Sequence, residues 1–365
     1  MQDNKTLKYL HDVLKNMPTD WLKLTTHRLD IFDEKLAKTQ FLEQFKNLFQ
    51  NQNSEAAALY ELPTAYDYIR LGHPLSCILE WAIGNLNNQK SENIISFSSK
   101  TIPVLAILRK NSLENKNTQL VYTDELPAFF DVEVLRRVYG YKFELKKVEN
   151  VTAISEYNGS TIFITAQNEV SNFNLTKNVD FLVNIHGNLG SILVINGVQN
   201  EAYISDIQHV RRRETIAMTP ANSLTALKTL LGTSSLDSLK DSIETDKASV
   251  LSSVKEITGT TIKPLVGSCG LSIQYAIMMG LIHDALEEHK GKAIKIVVPP
   301  NCYGGTNDQA RRVAACTDGV EIVDLLVDGD NDMVESIDTV LAKIANEDAI
   351  PYIIAEIPTN PRVEV

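Results

Sequence analysis

Three short stretches in the last hundred residues carry side chains and glycines at spacings that suit ligand chemistry. The first, Gly267-Ser268-Cys269-Gly270-Leu271, leads into a long helical pattern. A small glycine-containing turn feeding a helix offers free backbone N–H groups to an anion, and the helix dipole adds attraction. The second, Asn301-Cys302-Tyr303-Gly304-Gly305-Thr306, follows a buried strand pattern, and its paired glycines allow close backbone approach with Tyr303 at the rim. The third, Glu356-Ile357-Pro358-Thr359-Asn360-Pro361, also follows a strand; two prolines stiffen it and Asn360 offers an amide. Singly, each reads as a cap or a turn. Together, at the carboxyl ends of successive strands, they mark the place where open α/β sheets hold ligands.

The elements that must position these residues are legible from periodicity. The spacing predicts a helix over 272–289, a buried strand over 294–298, a helix over 306–316, a strand over 320–327, a helix over 333–346 and a strand over 352–356. A similar alternation runs from about residue 90. Strand-like runs at 94–97, 119–122, 161–165, 181–185 and 191–195 are interleaved with helical stretches, and 222–256 returns to helical periodicity. Near-continuous apolar strands alternating with helices predict a mostly parallel sheet covered on both faces. Residues 1–62 read as helical: Phe41, Phe45, Leu48 and Phe49 form one apolar stripe, and Pro18-Thr19 gives a break and an N-cap. They are expected to form an arm docked on the main body or on a partner subunit.

Composition narrows the classes. The chain has 365 residues, 44% hydrophobic and 22% charged, as in an ordinary globular protein, and is long enough for two domains. A formal net charge of −11 argues against a nucleic-acid binder, and the one basic run, Arg211-Arg212-Arg213, is followed by Glu214. Cys77, Cys269, Cys302 and Cys316 form no C-x-x-C pair, which predicts free thiols in a reducing cytoplasm and no zinc site. No signal-like or membrane-spanning run is present.

The order G-S-C-G-L, Y-G-G-T, Val323-Asp324 and E-I-P-T-N-P resembles the Cys/Met-metabolism group of pyridoxal-phosphate enzymes, which includes cystathionine γ-synthase, cystathionine lyases, methionine γ-lyase and O-acetylhomoserine sulfhydrylase. The resemblance covers about residues 265–365. It implies a fold-type-I, three-layer αβα domain and pyridoxal 5'-phosphate as cofactor. Ser268, Cys269, Gly270 and Leu271 match the phosphate turn, whose N–H donors are those of Gly270 and Leu271. Cys269 and Leu271 stand where the family has Ser and Met. Tyr303 matches the tyrosine that stacks on the pyridine ring and assists proton transfer. Glu356 and Asn360 match residues beside the ring.

The first half resembles a degenerate copy of the same domain. Tyr68-Ile69-Arg70-Leu71-Gly72-His73-Pro74 is similar to the family's Y-x-R-x-x-N-P, with His73 in place of Asn. The resemblance implies that Tyr68 and Arg70 reach the phosphate of a neighbouring site, a task that suits the planar guanidinium. Elsewhere this copy has decayed. Lys100 replaces the glycine of the phosphate turn in Phe97-Ser98-Ser99-Lys100-Thr101. Ala166-Gln167-Asn168 stands near the place of E-x-P-x-N-P, and Asn184-Ile185-His186-Gly187-Asn188 has no lysine.

The expected organisation is therefore an arm at 1–62, a degenerate copy at 63–256 and the front part of a better-preserved copy at 262–365, paired as a homodimer or an intrachain pseudo-dimer. The family's ring-nitrogen aspartate and Schiff-base lysine lie beyond P-T-N-P, whereas this sequence ends four residues after Pro361 and its last lysine is Lys343. The resemblance thus implies a carbon–sulfur lyase or transferase acting on a sulfur amino acid, C-terminally incomplete and without the means to form its own Schiff base. The alternative is a non-catalytic pseudoenzyme that serves as a binding or regulatory partner. A dinucleotide-binding fold is disfavoured, because neither G-x-G-x-x-G nor a P-loop is present.

Overall fold

The apolar runs form strands and the amphipathic stretches between them form helices. The structure, a computed structural model, describes residues 2–23, 34–63, 70–167, 170, 173, 175–234, 240–267 and 269–356. They fall into two units: the first takes in residues 1–110, 116–130 and 143–268, the second 111–115, 131–142 and 269 onward.

In chain order the first unit contributes α1 (Gln2–Asn16), α2 (Glu34–Gln50), α3 (Ala56–Tyr60), α4 (Pro74–Leu86), β1 (Ile94–Phe97), α5 (Ile102–Leu113) and β2 (Thr118–Tyr122). After α6 (Val132–Arg137), which belongs to the second unit, come β3 (Glu144–Lys147), β4 (Ser160–Thr165), β5 (Phe181–His186), β6 (Gly190–Ile195), α7 (Tyr203–Glu214), α8 (Pro220–Leu230) and α9 (Lys240–Thr258). The sheet order is β1-β6-β5-β4-β2-β3. All pairs are parallel except those made by β6, which runs against both β5 and β1. Gly190 starts β6 at φ +122, where an added Cβ would lie 2.0 Å from the Phe97 carbonyl oxygen, so only glycine lets β6 pass β1 here.

Both faces of this sheet are covered. Phe181 packs its ring against Tyr203 of α7 at 4.8 Å, while its neighbour Leu182 belongs to the core built around α4. Helix α4 is buried all round over residues 75–84, mostly by apolar side chains such as Leu75, Ile78, Leu79, Trp81 and Ile83, as a central helix is. Tyr9 of α1 and Phe41 and Phe45 of α2 join the same core, and Phe45 meets Trp81 edge-on at 5.0 Å. The predicted Phe41/Phe45/Leu48/Phe49 stripe is thus a packing face of this unit.

A buried charge cluster seals the open edge of β1. The Glu80 carboxylate on α4 accepts from the Ser96 N–H at 2.9 Å and from Arg211 Nη1 at 2.8 Å, and it also takes the Lys38 ammonium. Lys38 donates to the Ile94 carbonyl and Arg211 to the Ser96 carbonyl, so the outward backbone groups of β1 are satisfied. Removing one partner of such a buried set costs about 3–5 kcal/mol.

The second unit contributes α10 (Gly270–Glu288), β7 (Ile294–Val298), α11 (Gly304–Cys316), β8 (Val320–Asp324), α12 (Met333–Asn346) and β9 (Ile350–Ile353). The strands are parallel in the order β8-β7-β9. Val297, Val323, Ile337, Val340 and Ile344 form the core on the α12 face. On α10, Leu271, Tyr275, Met278 and Ile282 are buried, and Gln309 of α11 ties the two helices together by donating to the Leu271 carbonyl at 2.9 Å. The chain leaves β7 toward β8 and returns past it to β9, so the strand order reverses between β7 and β9. No helix among the described residues is long and apolar enough to cross a membrane.

Three buried titratable groups in the first unit set its acid response. Burial pushes His73 and His186 down to about 4. Burial alone would raise Glu80, but Lys38 and Arg211 outweigh it and bring it to about 2. A histidine held neutral stabilises fully above its unfolded value near 6.5 and loses that effect as pH falls toward 4. Glu80 stabilises fully above its unfolded value of 4.5 and loses that effect as pH falls toward 2. Urea unfolding followed from pH 8 to 3 is therefore expected to lose stability in two stages, the first between pH 6.5 and 4. His73→Asn, which keeps a capping side chain, should shrink that first stage by up to about 3 kcal/mol. A decline that begins only below pH 4.5 in both proteins would contradict this assignment.

Candidate functional site

The site assembles at the carboxyl ends of β7 and β9 and at the amino end of α10. Helix α10 starts from Cys269 in extended backbone at φ −160, ψ 169. Ser272 closes the turn: its hydroxyl accepts the Cys269 N–H at 3.2 Å and donates to the Cys269 carbonyl at 2.7 Å. Gly270 and Leu271 hold the first two helical positions, whose N–H groups have no acceptor within the helix. A Cβ built on Gly270 meets nothing within 4 Å, so the approach to this helix end is open. Such an end attracts anions through its N–H groups and its dipole.

Tyr303 caps α11 beyond β7. Its N–H donates to Glu356 Oε2 at 2.8 Å, and the Thr306 hydroxyl, one turn on, donates to Glu356 Oε1 at 2.7 Å. Glu356 thus caps α11 from the end of β9, with its negative charge at the positive end of the helix dipole. The Gln274 amide of α10 lies 3.3 Å from the Thr306 hydroxyl. That hydroxyl has one proton and gives it to Glu356, so the inventory closes when Gln274 presents its NH2 to this oxygen. One chain of contacts then links α10, α11, β7 and β9.

Glycine is required at one of the paired positions. A Cβ on Gly305 would lie 2.5 Å from Tyr303 Cε1 and 2.8 Å from Leu271 Cδ1, whereas Gly304 has open space around it. Gly305 therefore leaves space that the Tyr303 ring and the Leu271 side chain share, next to the first turn of α10. Asn301 buries both amide atoms without a partner among the described residues. Cys302 is buried, and burial, followed by the Glu356 charge, pushes its thiol up to about 11, so it is no nucleophile at neutral pH.

The predicted site residues divide as follows. Cys269, Gly270, Leu271, Tyr303 and Glu356 are brought together in the second unit. Ser268, Asn360 and Tyr68 lie outside the described residues, as does Asn168. Arg70 is half-buried in the turn ahead of α4, in the first unit. His73 caps α4: its Nδ1 accepts the Ser76 N–H at 3.2 Å, and its Nε2 meets the Met218 carbonyl at 2.7 Å. An N-cap accepts His here much as it would Asn, because either supplies an acceptor to the first turn. Gln274 and Gln309 gave no sequence signal of their own as parts of the site, whereas Asn301 lay within the stretch singled out around Tyr303.

The corresponding helix end of the first unit is built otherwise. Ser99 Oγ accepts the N–H groups of Thr101 and Ile102 at 3.3 and 3.1 Å, so the first turn of α5 is satisfied from within. The Lys100 ammonium stands 4.8 Å above the Phe129 ring, and burial lowers its pKa. Asn184 accepts the Gln167 N–H at 3.1 Å and meets His186 Nε2 at 3.0 Å.

Of the lysines described in the second unit, none stands at the carboxyl end of β7, β8 or β9. Lys292 and Lys295 lie at the amino side of β7, paired with Asp348 at 2.6 Å and Glu321 at 2.7 Å, and Lys343 sits in the last turn of α12. The described residues thus present free helix N–H groups beside an aromatic ring, an arrangement into which a phosphate-bearing aromatic group would fit, with no described lysine of the second unit next to it. Among the described residues no cluster of three His, Cys, Asp or Glu side chains could hold a metal ion.

No protein-family model and no curated protein sequence matches the chain. Among solved structures it is similar to a cystathionine γ-synthase from Xanthomonas oryzae pv. oryzae in complex with aminoacrylate and cysteine (12% identity, 49% of this chain and 55% of that one, TM-score 0.33). It is also similar to metB from Corynebacterium glutamicum (15%, 47% and 55%, TM-score 0.32). A third is a putative O-acetylhomoserine (thiol)-lyase, metY, from Campylobacter jejuni subsp. jejuni NCTC 11168 (14%, 63% and 70%, TM-score 0.33), which carries a pyridoxyl-lysine monophosphate. The matched region spans about half the length of the first two.

The Gly305 contacts generate a test. Gly305→Ala should cost about 1–3 kcal/mol in urea unfolding, because the new methyl must displace the Tyr303 ring or Leu271. The tyrosine near-ultraviolet circular dichroism should change with it, while Gly304→Ala should alter neither. Equal behaviour of the two variants would contradict the packing described.

Proposed function

We propose that the second unit is the phosphate-and-ring side of a pyridoxal-phosphate site in a protein of sulfur amino-acid metabolism. The observation that carries the reading is that the Tyr303 ring and the Leu271 side chain share the space that Gly305 leaves, with the Tyr303 backbone clamped by Glu356 and the Gly270 end of α10 open. The N–H groups of Gly270 and Leu271 would hold the phosphate, Tyr303 would stack on the ring, and Asn301 would lend its unmet amide. The bound cofactor supplies a sink for the electron pair left when a proton leaves Cα of an amino acid. Glu356 fixes the backbone of Tyr303. The four cysteines, all free, fit a cytoplasmic location.

The second reading is a non-catalytic partner that keeps the cofactor cradle as a binding or regulatory device. It is favoured by the lack of a described lysine at the strand ends and by the self-satisfied helix end at Ser99. Both readings treat the two units as copies of one ancestral domain, the first retaining Arg70 for a neighbour's phosphate.

Isothermal titration with pyridoxal phosphate tests the shared premise. The protein should bind one equivalent saturably, in competition with inorganic phosphate. Tyr303→Ala should weaken binding at least about tenfold, or about 1.4 kcal/mol, and Tyr303→Phe much less, since stacking survives. Affinity unchanged by Tyr303→Ala would reject the site.

A further inference from the structure

The second unit contains a segment that is remote in sequence from the rest of it. Residues 131–142 belong with α10 and its sheet, although the chain on either side of them, 116–130 and 143–268, belongs to the first unit. The segment follows β2 and precedes β3, and it works as a strap.

Its shape follows from its residues. Asp131 caps α6 by accepting the N–H groups of Glu133 and Val134 at 2.9 and 3.1 Å. The helix stops after Arg137: the Val138 and Tyr139 N–H groups both close on the Val134 carbonyl, and Gly140 turns the chain at φ +71. Glycine takes that backbone conformation without strain. The turn brings the Tyr141 N–H back to the Leu135 carbonyl at 3.1 Å. Tyr139 and Tyr141, on either side of the glycine, therefore stack, with ring centroids 6.2 Å apart and planes 16° from parallel.

This pair meets one residue of α10. The Tyr275 ring lies 5.5 Å from that of Tyr139, tilted by 59°, and its hydroxyl is 3.3 Å from the Tyr141 hydroxyl. Tyr141 and Tyr275 are both buried. Nearer the carboxyl end of the helix, Arg137 faces Glu287 at 3.8 Å, an exposed pair of little energetic weight. Tyr275 and Glu287 stand about 18 Å apart along a helix, so the strap runs along α10 toward its amino end. Its grip falls next to Gln274, which touches Thr306, and just over one turn from Gly270. The amino end of α10 is thus held from two sides, by α11 through Gln309 and Gln274 and by the strap through Tyr275.

We propose that Tyr139 and Tyr141 are positioning residues for the candidate site. Seated on Tyr275, they fix the first turns of α10, and with them the N–H groups of Gly270 and Leu271. They act through the helix and not on the ligand. The proposal rests on the reading of this helix end as a phosphate seat. Seating of the strap and occupancy of the seat are then linked, and the linkage is reciprocal. A change in the connection between β2 and β3 alters affinity at a helix whose contact residue lies 134 positions further along the chain.

The test uses the 365-residue protein and its Tyr139→Ala variant, which shortens a half-buried side chain. Amide exchange at Gln274 and Tyr275 should speed at least about tenfold, while Val183 and Leu193 in the sheet of the first unit keep their rates. Isothermal titration with pyridoxal phosphate should show at least about tenfold weaker binding. Tyr139→Phe keeps the stacked ring and should restore both properties. Gly140→Ala strains the turn, leaves all three rings in place and should loosen the same two amides. Exchange at Gln274 and Tyr275 that both Tyr139→Ala and Gly140→Ala leave unchanged overturns the proposal. So does faster exchange in both units alike, the mark of general destabilisation. Looser α10 amides with affinity equal to wild type reject the positioning role alone, whereas a wild-type protein that binds no pyridoxal phosphate rejects the phosphate seat.

Discussion

The Glu356 carboxylate holds the candidate site together. It accepts one hydrogen bond from the backbone that follows β7 and another from the first turn of α11, while its own backbone follows β9. These two strands are where the order of the sheet reverses, the place where the loops diverge and leave room for a ligand. Charge-assisted bonds of this kind are worth about 1.5–3 kcal/mol each, more than an ordinary helix cap. The carboxylate therefore fixes where the backbone of Tyr303 sits, and Gly305 leaves the space that its ring shares with Leu271.

The first unit uses a buried carboxylate for another purpose. Glu80, with Lys38 and Arg211, closes a sheet edge and joins α2, α4, α7 and β1 in one network. The N-terminal helices are consequently bound to this unit by an aromatic core and by a lysine inserted through it. In the second unit β8 carries exposed acids, Glu321 and Asp324.

Much of this was legible in the sequence, for identifiable reasons. The strands at 94–97, 161–165 and 181–185 and the helix at 333–346 are uninterrupted patterns bounded by turn residues, and they form where the patterns lie. Strand β3 was not legible: E-L-K-K has no apolar run, and only pairing with β2 makes it a strand. The helical stretch at 222–256 proved to be two helices, α8 and α9. At the site, glycines and Tyr303 announced themselves by spacing. Gln274 and Gln309 did not, because a mid-helix amide acquires its role only from the tertiary partner it meets. The glycine pair was legible as a pair, but packing alone shows that Gly305 is the constrained member.

Under the proposal, the second unit cradles a phosphopyridoxal group with no described lysine at its strand ends to bond it. Borohydride reduction of the protein saturated with pyridoxal phosphate, followed by intact and peptide mass spectrometry, tests it most directly. Saturable binding with no phosphopyridoxyl mass on any single lysine is the expected result. A stoichiometric adduct on one lysine would contradict it, and would identify the amine that the described strand ends do not provide.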